Sequence, residues 1–384
     1  MVRLAEPVRY TPTGEELVVI DPEAAKWGTI PCTSGMEIEQ DYDDVRRCRR
    51  IMEEYEWHFD GSGPYETPLP PSIAPYREVK RFISLVLEDD CCWEWKGYYD
   101  YTSCGSHIHL RPRPSALHKR ANPDVPGIEG DPEYDHPPHV AYEDVWATTY
   151  NTLVEVYPWI LPLFAAGGPE VMRFRPRVTH WAQFNDDRVS PGRMRERYLS
   201  PGYFGHPYLA VALDRKTEAH ILTIELRLNE NHPAISYVAI LILNRIIRRV
   251  YERGYISPKL ALDPYRRGQL YRELEEAVAR SALDDTDLYE ELEATVRRFV
   301  DRYGPIRFEP GREIPRVKSE FRSYFEIFHS IIHYYTDWRS PVEYRVYKLY
   351  AARGNPRRNW KELWHLMHKP AKEFCWREPP ICGL

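Results

Sequence analysis

Apolar and polar residues alternate along three short stretches of the chain: Gly35-Met36-Glu37-Ile38-Glu39, 103–110 and 221–228. A period of two predicts strands with one buried face. Between them the spacing turns helical. Residues 43–57 place Val45, Cys48, Met52 and Tyr55 on one side, 75–88 predicts a second helix, 140–164 a third bent at Pro158, and 234–253 a long, largely buried fourth. Past 253 the pattern is helical throughout, over 265–280, 287–303, 319–338, 341–353 and 359–368. Punctuation separates these elements. Residues 1–30 read as an extended lead-in, and Asp60-Gly61-Ser62-Gly63-Pro64 as a turn before Tyr65-Glu66 and a proline run. Residues 111–139 hold seven prolines and no period, so they read as a long loop or insertion. The stretch 169–220 reads as irregular, with Arg-rich strand-like pieces. No internal repeat is evident. The expected organisation is α+β: the lead-in, a sheet-bearing domain over 31–253, and a helical, aromatic-rich region over 254–384.

Composition narrows the class. A net charge of −6, with 43% hydrophobic and 29% charged residues, is a globular balance that gives no overall reason to expect nucleic acid or a membrane. The longest apolar stretch, 235–247, is broken by Ser236, Asn244 and Arg245, and falls short of the roughly 20 residues a spanning helix needs. The N-terminus lacks the apolar core of a secretory signal, so a cytoplasmic location is expected. Seven cysteines, with Cys91 and Cys92 adjacent and no C-x-x-C pair, predict bystander thiols rather than a disulfide framework or a four-cysteine zinc site. The 34 prolines and 28 tyrosines predict rigid connections and a Tyr-rich core or interface. Residues 305–384 carry a net +6 after an acidic body.

The chemistry lies in the polar positions of the three strands. Each carries a pair at i and i+2: Glu37 and Glu39, His107 and His109, Glu225 and Arg227. Such pairs share one strand face, while Met36, Ile38, Ile108, Leu110, Ile224 and Leu226 share the other. Taken singly, each has an ordinary reading. Glu-x-Glu suits a solvated face, His-x-His suits a zinc pair or chance, and Glu-Leu-Arg suits a cross-strand ion pair worth ~1 kcal/mol or less. Together in one sheet they gather three carboxylates, two imidazoles and a guanidinium on one face, which is costly unless something bound compensates the charge. Carboxylates with imidazole suit Mg²⁺ or Mn²⁺, and those ions suit nucleotide phosphates.

In chain order, Gly-Met-Glu-Ile-Glu, Gly-Ser-His-Ile-His-Leu and Thr-Ile-Glu-Leu-Arg-Leu resemble the strand motifs of the glutamine synthetase and glutamate–cysteine ligase superfamily, most closely its short amidoligase branch. The resemblance covers roughly 35–253 and implies a curved antiparallel sheet of the glutamine-synthetase catalytic type with packing helices. It implies that Glu37 and Glu39 bind different metal ions, that His107 and Glu225 are further ligands, that His109 lies near the nucleotide, and that Arg227 faces phosphate. The segment 60–68 is similar to the family's turn and glutamate before prolines, so Glu66 would complete the carboxylate set. The segment 161–175 is similar to the stretch carrying phosphate-binding arginines, implying Arg173 or Arg175; a salt-bridged strand arginine is the competing reading. The family's N-terminal β-grasp-like domain has no counterpart, so a ring-shaped dodecamer does not follow. The 111–139 insertion and helical tail have none either.

The implied activity is ATP- and Mg²⁺-dependent joining of a carboxylate and an amine through an acyl phosphate. The substrates are then a carboxylate and an amine, as small molecules, peptides or proteins. Three other classes compete. One is a non-catalytic descendant of the fold, docking through aromatic residues such as Phe321, Tyr324, Phe325 and Phe328; helical spacing instead puts those residues in packing. The second is nucleic-acid binding through 353–360, where basic and aromatic residues interleave, against which the acidic body counts. The third is a zinc hydrolase using His107 and His109, which lacks a usual zinc spacing.

Overall fold

The computed structural model describes residues 9–10, 17–18, 32–40, 53–55, 58–59, 65–72, 81–82, 98–99, 102–103, 105–112, 142–163, 183–185, 187–200, 203, 205, 209–216, 221–230, 233–252, 255, 257–283, 286, 288–309 and 320–335. The fold is mixed α and β, built on an open antiparallel sheet. Its strands are β1 (Cys32–Gln40), β2 (His58–Phe59), β3 (Tyr65–Ser72), β4 (Gly105–Pro112), β5 (Val211–Lys216) and β6 (Ile221–Glu230), in the order β2-β3-β1-β4-β6-β5. The three strands predicted from alternation, β1, β4 and β6, are consecutive neighbours in the middle. Glu37 pairs with His107 across β1 and β4, and Glu225 pairs with His109 across β6 and β4.

One face of these strands is dry. Met36, Ile38, Ile108, Leu110, Ile224 and Leu226 are all buried. Burying each such side chain is worth about 1.5–3 kcal/mol, so the alternation sets the register: a one-residue slip would turn the whole set to the other face. Two helices cover this face, α1 (Tyr142–Ile160) and α2 (Pro233–Glu252). In α1, acidic Glu143 and Asp144 in the first turn suit the helix dipole, and Pro158 stands one turn before the element tightens into the 3₁₀ turn Leu161–Leu163. Its buried residues, among them Trp146, Leu153, Val154, Tyr157 and Ile160, surround the helix, as expected of a core element. Proline at the first position of α2 costs no hydrogen bond, since that N–H has no partner within the helix.

Two strands depart from the expected pattern. The proline run forms β3, pairing with β1 along its length and with β2 only at Tyr65 and Glu66. Proline lacks the N–H that a central strand needs, and here the prolines follow the point where the second neighbour ends, with a register shift opposite Ser34–Met36. The edge strand β5 falls inside the stretch expected to be irregular, and a short helical turn, Pro191–Arg193 continuing as the π-helical Met194–Tyr198, also lies there.

The helical region adds α3 (Pro264–Leu283), α4 (Leu288–Tyr303) and α5 (Tyr324–Tyr335). The first two form an antiparallel hairpin clipped by Arg302–Glu273 and Arg280–Glu291 ion pairs. Gly304 ends α4 at φ 85°, with its N–H returning to Val300, a left-handed cap that glycine takes without strain. The third docks on α1, where the Tyr324 hydroxyl donates to Pro158 O at 2.8 Å and its ring lies 5.7 Å from that of Trp159. Phe321, Tyr324 and Phe328 are therefore core residues, as their spacing predicts, while Phe325 is exposed. Among the described residues, no helix is long and apolar enough to cross a membrane. The predicted helices over 341–353 and 359–368, most of those over 43–57 and 75–88, and most of the 111–139 insertion lie outside the described residues.

Candidate functional site

Among the described side chains, the polar face of the central strands holds four that are buried and ionisable: Glu37, His107, His109 and Glu225. Pairing brings them together. Glu37 on β1 stands beside His107 on β4, and His109, two residues along, stands beside Glu225 on β6. His107 Nδ1 is 3.0 Å from Glu225 Oε1 and 3.5 Å from Glu37 Oε2, so this ring bridges the two carboxylates. His109 Nε2 is 3.3 Å from Glu37 Oε2 without hydrogen-bond geometry. Its other nitrogen, Nδ1, is hydrogen-bonded to Thr223 Oγ1 at 2.9 Å. Arg227 Nη1 donates to Glu225 Oε1 at 2.7 Å, and its side chain is part-exposed, so the guanidinium sits at the rim.

Burial pushes the Glu225 carboxyl up. The hydrogen bond from His107 and the charge of Arg227 push it down, and the net is a carboxyl held well below the ordinary range. Glu225 is therefore an anion at neutral pH despite being almost wholly enclosed.

A bulge in β6 shapes the rim. Register shifts between Leu226 and Asn229, so Asn229 pairs with Ser106 rather than continuing the alternation of Glu225 and Arg227. Asn229 is fully buried, donating to Ser106 O and Leu226 O, and its Oδ1 accepts from the Tyr157 hydroxyl. That hydroxyl also accepts from Leu228 N at 3.0 Å, satisfying a donor inside the bulge. Behind the site, the Ser106 and Ser236 hydroxyls bond each other, and Asn244 of α2 bonds both Cys32 and Ser34 of β1. Helices on the dry face thus fix the strands that carry the charged face.

Of the residues expected from sequence, Glu37, His107, His109, Glu225 and Arg227 converge. The Cα of Glu39 is paired with that of Glu66 across β1 and β3, two positions along β1 from Glu37. Arg173 and Arg175 lie outside the described residues. Thr223 was not anticipated, although its signal was present: it stands two residues before Glu225, on the same strand face.

The donor set fits a divalent cation. Glu37, His109 and Glu225 each offer one ligand atom, all within 4.8 Å of one another. Around an ion with bonds of about 2.1 Å, adjacent ligand atoms are roughly 3 Å apart and opposite ones roughly 4.2 Å. Two carboxylates with one imidazole suit Mg²⁺ or Mn²⁺, and such an ion would offset the mutual repulsion of two anions enclosed on one face. No protein-family model matches the chain, and no curated protein matches it.

Proposed function

We propose that this protein is an ATP- and Mg²⁺- or Mn²⁺-dependent carboxylate–amine ligase, built on a curved sheet of the glutamine-synthetase catalytic type. The observation that carries the reading is the pairing of three motifs, distant in the chain, into adjacent strands whose Glu37, His107, His109 and Glu225 meet in one buried cluster with Arg227 at its rim. Nothing in the packing of the dry face requires acids and imidazoles there, so their convergence supports a site.

The chemistry follows from the charges. A carboxylate does not acylate an amine at neutral pH, because oxide would have to leave. In the proposed reaction a substrate carboxylate oxygen attacks the γ-phosphorus of ATP, ADP departs, and an acyl phosphate forms. The amine then attacks the acyl carbon, phosphate leaves with its bonding electrons, and the amine's proton passes to a base. A divalent cation bound at the cluster supplies charge neutralisation for phosphoryl transfer. Glu37 and Glu225, with an imidazole between them, would hold it. Glu39 and Glu66, paired in the backbone register, would hold a second ion beside the acceptor carboxylate. Arg227 would turn from Glu225 toward the transferring phosphoryl group, joined by Arg173 or Arg175, and the remaining imidazole would lie against the nucleotide.

Calorimetric titration of Mg²⁺–ATP, or a non-hydrolysable analogue, into wild type and Glu37→Gln/Glu225→Gln tests the reading. Metal-dependent binding that the double variant loses while its circular dichroism is unchanged supports it. Absence of binding to the wild type with either cation sinks it.

A further inference from the structure

We propose that the imidazole ligand of the cation is His109, that Thr223 positions it, and that His107 serves instead as a bridge between the two carboxylates. This rests on the reading of the cluster as a divalent-cation site, and it allots the two rings differently from the resemblance, which makes His107 the ligand.

The two histidines are equally buried yet differently committed. The Nδ1 of His107 is hydrogen-bonded to Glu225 Oε1, with Glu37 Oε2 on its other side, so the edge it turns to the cluster carries a proton shared with a carboxylate. A nitrogen in that state has no lone pair for an ion. His109 presents the opposite arrangement. Its Nδ1 is bonded to Thr223 Oγ1, and its Nε2, in a side chain 5% exposed, makes no hydrogen bond with any described residue while lying 3.3 Å from Glu37 Oε2. With the proton on Nδ1 and the Thr223 oxygen accepting, Nε2 keeps its lone pair and directs it into the cluster. Metal-bound histidines recurrently have the far ring N–H held by an oxygen, which fixes tautomer and ring orientation. Thr223 supplies that oxygen and is itself buried on the ligand face of β6, two residues from Glu225. The 3.3 Å separation from Glu37 is also close to the roughly 3 Å expected of neighbouring ligands on an ion of this class.

The test uses the full chain, stripped with chelator and titrated with Mn²⁺. Free Mn²⁺ is followed by its electron paramagnetic resonance signal, and bound Mn²⁺ by the electron spin-echo modulation that a coordinated ¹⁴N imparts. The expected result is nitrogen modulation in wild type that persists in His107→Ala and disappears in His109→Ala. Thr223→Val, which keeps the ring and the side-chain shape, should weaken Mn²⁺ binding about 10–100-fold, with Thr223→Ser restoring it. Modulation that survives His109→Ala and vanishes in His107→Ala overturns the proposal and leaves the cation site standing. Wild-type affinity in Thr223→Val also overturns it, even where a histidine variant fails to fold. No Mn²⁺ binding by the wild type removes the cation reading and the proposal together.

Discussion

Asn244, midway along α2, donates from Nδ2 to the Ser34 hydroxyl of β1 at 3.1 Å. The same side chain accepts from Cys32 N at 3.1 Å, so one amide ties the helix to the start of the strand that carries Glu37. All of these groups are buried. Asn244→Leu takes the acceptor from the buried Cys32 N–H, at about 1–3 kcal/mol for a donor so stranded, while the Ser34 hydroxyl keeps its bond to Cys32 O. We expect a loss of about 1–3 kcal/mol in urea-induced unfolding. A loss below about 0.5 kcal/mol, the scale of ordinary surface substitutions, would show that β1 is not held from this side.

The joint between the sheet-bearing part and the helical region turns on Glu155 of α1. This carboxylate is fully buried and takes Arg267 of α3 at 2.6 Å, Arg188 at 3.1 Å and Leu260 N at 3.2 Å. Removing one member of a buried ionic group costs about 3–5 kcal/mol, because the others stay behind. Arg267 is nearly as enclosed as Glu155 while Arg188 is a quarter exposed, so most of the cost falls on Arg267. Glu155→Ala should lower the urea midpoint by a corresponding amount. Combining Glu155→Leu with Arg267→Met should recover part of it, since apolar replacement of a buried pair is often neutral while the Leu260 N–H and Arg188 still lose the carboxylate. A double variant no more stable than Glu155→Ala would mean that the stranded Arg267 charge is not what the single substitution costs.

Much of the site was legible in the alternation of β1, β4 and β6, because one face of each strand is dry and a period of two therefore has to show. The proline run of β3 was not, since proline removes a ladder donor and argues against a strand unless one side lacks a neighbour. The short edge strand β5, Val-Ala-Leu-Asp-Arg-Lys, blends apolar and charged halves instead of alternating. Asn229 shares the parity of Glu225 and Arg227, yet the bulge in β6 carries it to Ser106 and Tyr157, and no period reveals a bulge. The difference between His107 and His109 was equally hidden. It depends on which nitrogen meets Thr223 and which meets Glu225, a matter of cross-strand register and rotamer.

The tyrosines offer a titration that reports the packing. Burial pushes the phenols of Tyr150, Tyr157, Tyr251 and Tyr324 above their ordinary range. With the folded value above the unfolded one, near 10, the stabilisation is fully present below about pH 10 and is lost as pH rises through the folded values. Ultraviolet titration of phenolate should therefore leave these four silent while exposed tyrosines ionise, and release them in a step that coincides with alkaline unfolding. Tyr324→Phe should remove one phenol from that step. Ionisation of all four with the exposed set would mean that α5 does not seal Tyr324 against Pro158 and Trp159.

Arg227 and His107 both engage Glu225 Oε1, at 2.7 and 3.0 Å, and this shared oxygen decides the acid behaviour of the chelator-treated protein. Burial alone would raise the Glu225 carboxyl, but the His107 hydrogen bond and the charge of Arg227 hold it below its ordinary value. A depressed folded value gives stabilisation that is present above the unfolded value, about 4.3, and disappears as pH falls through the folded one. Arg227→Met removes the lowering charge, raises the folded value and shrinks that contribution. The variant should therefore be less stable than wild type at about pH 6, and the difference should narrow only as pH falls through the variant's folded value and then the wild type's still lower one. Urea midpoints across this range, read in chelator so that no cation competes for the carboxylate, provide the comparison. A difference that stays constant even after Glu225 has become protonated in the variant would show that Arg227 stabilises the fold by packing, with its charge on Glu225 contributing nothing.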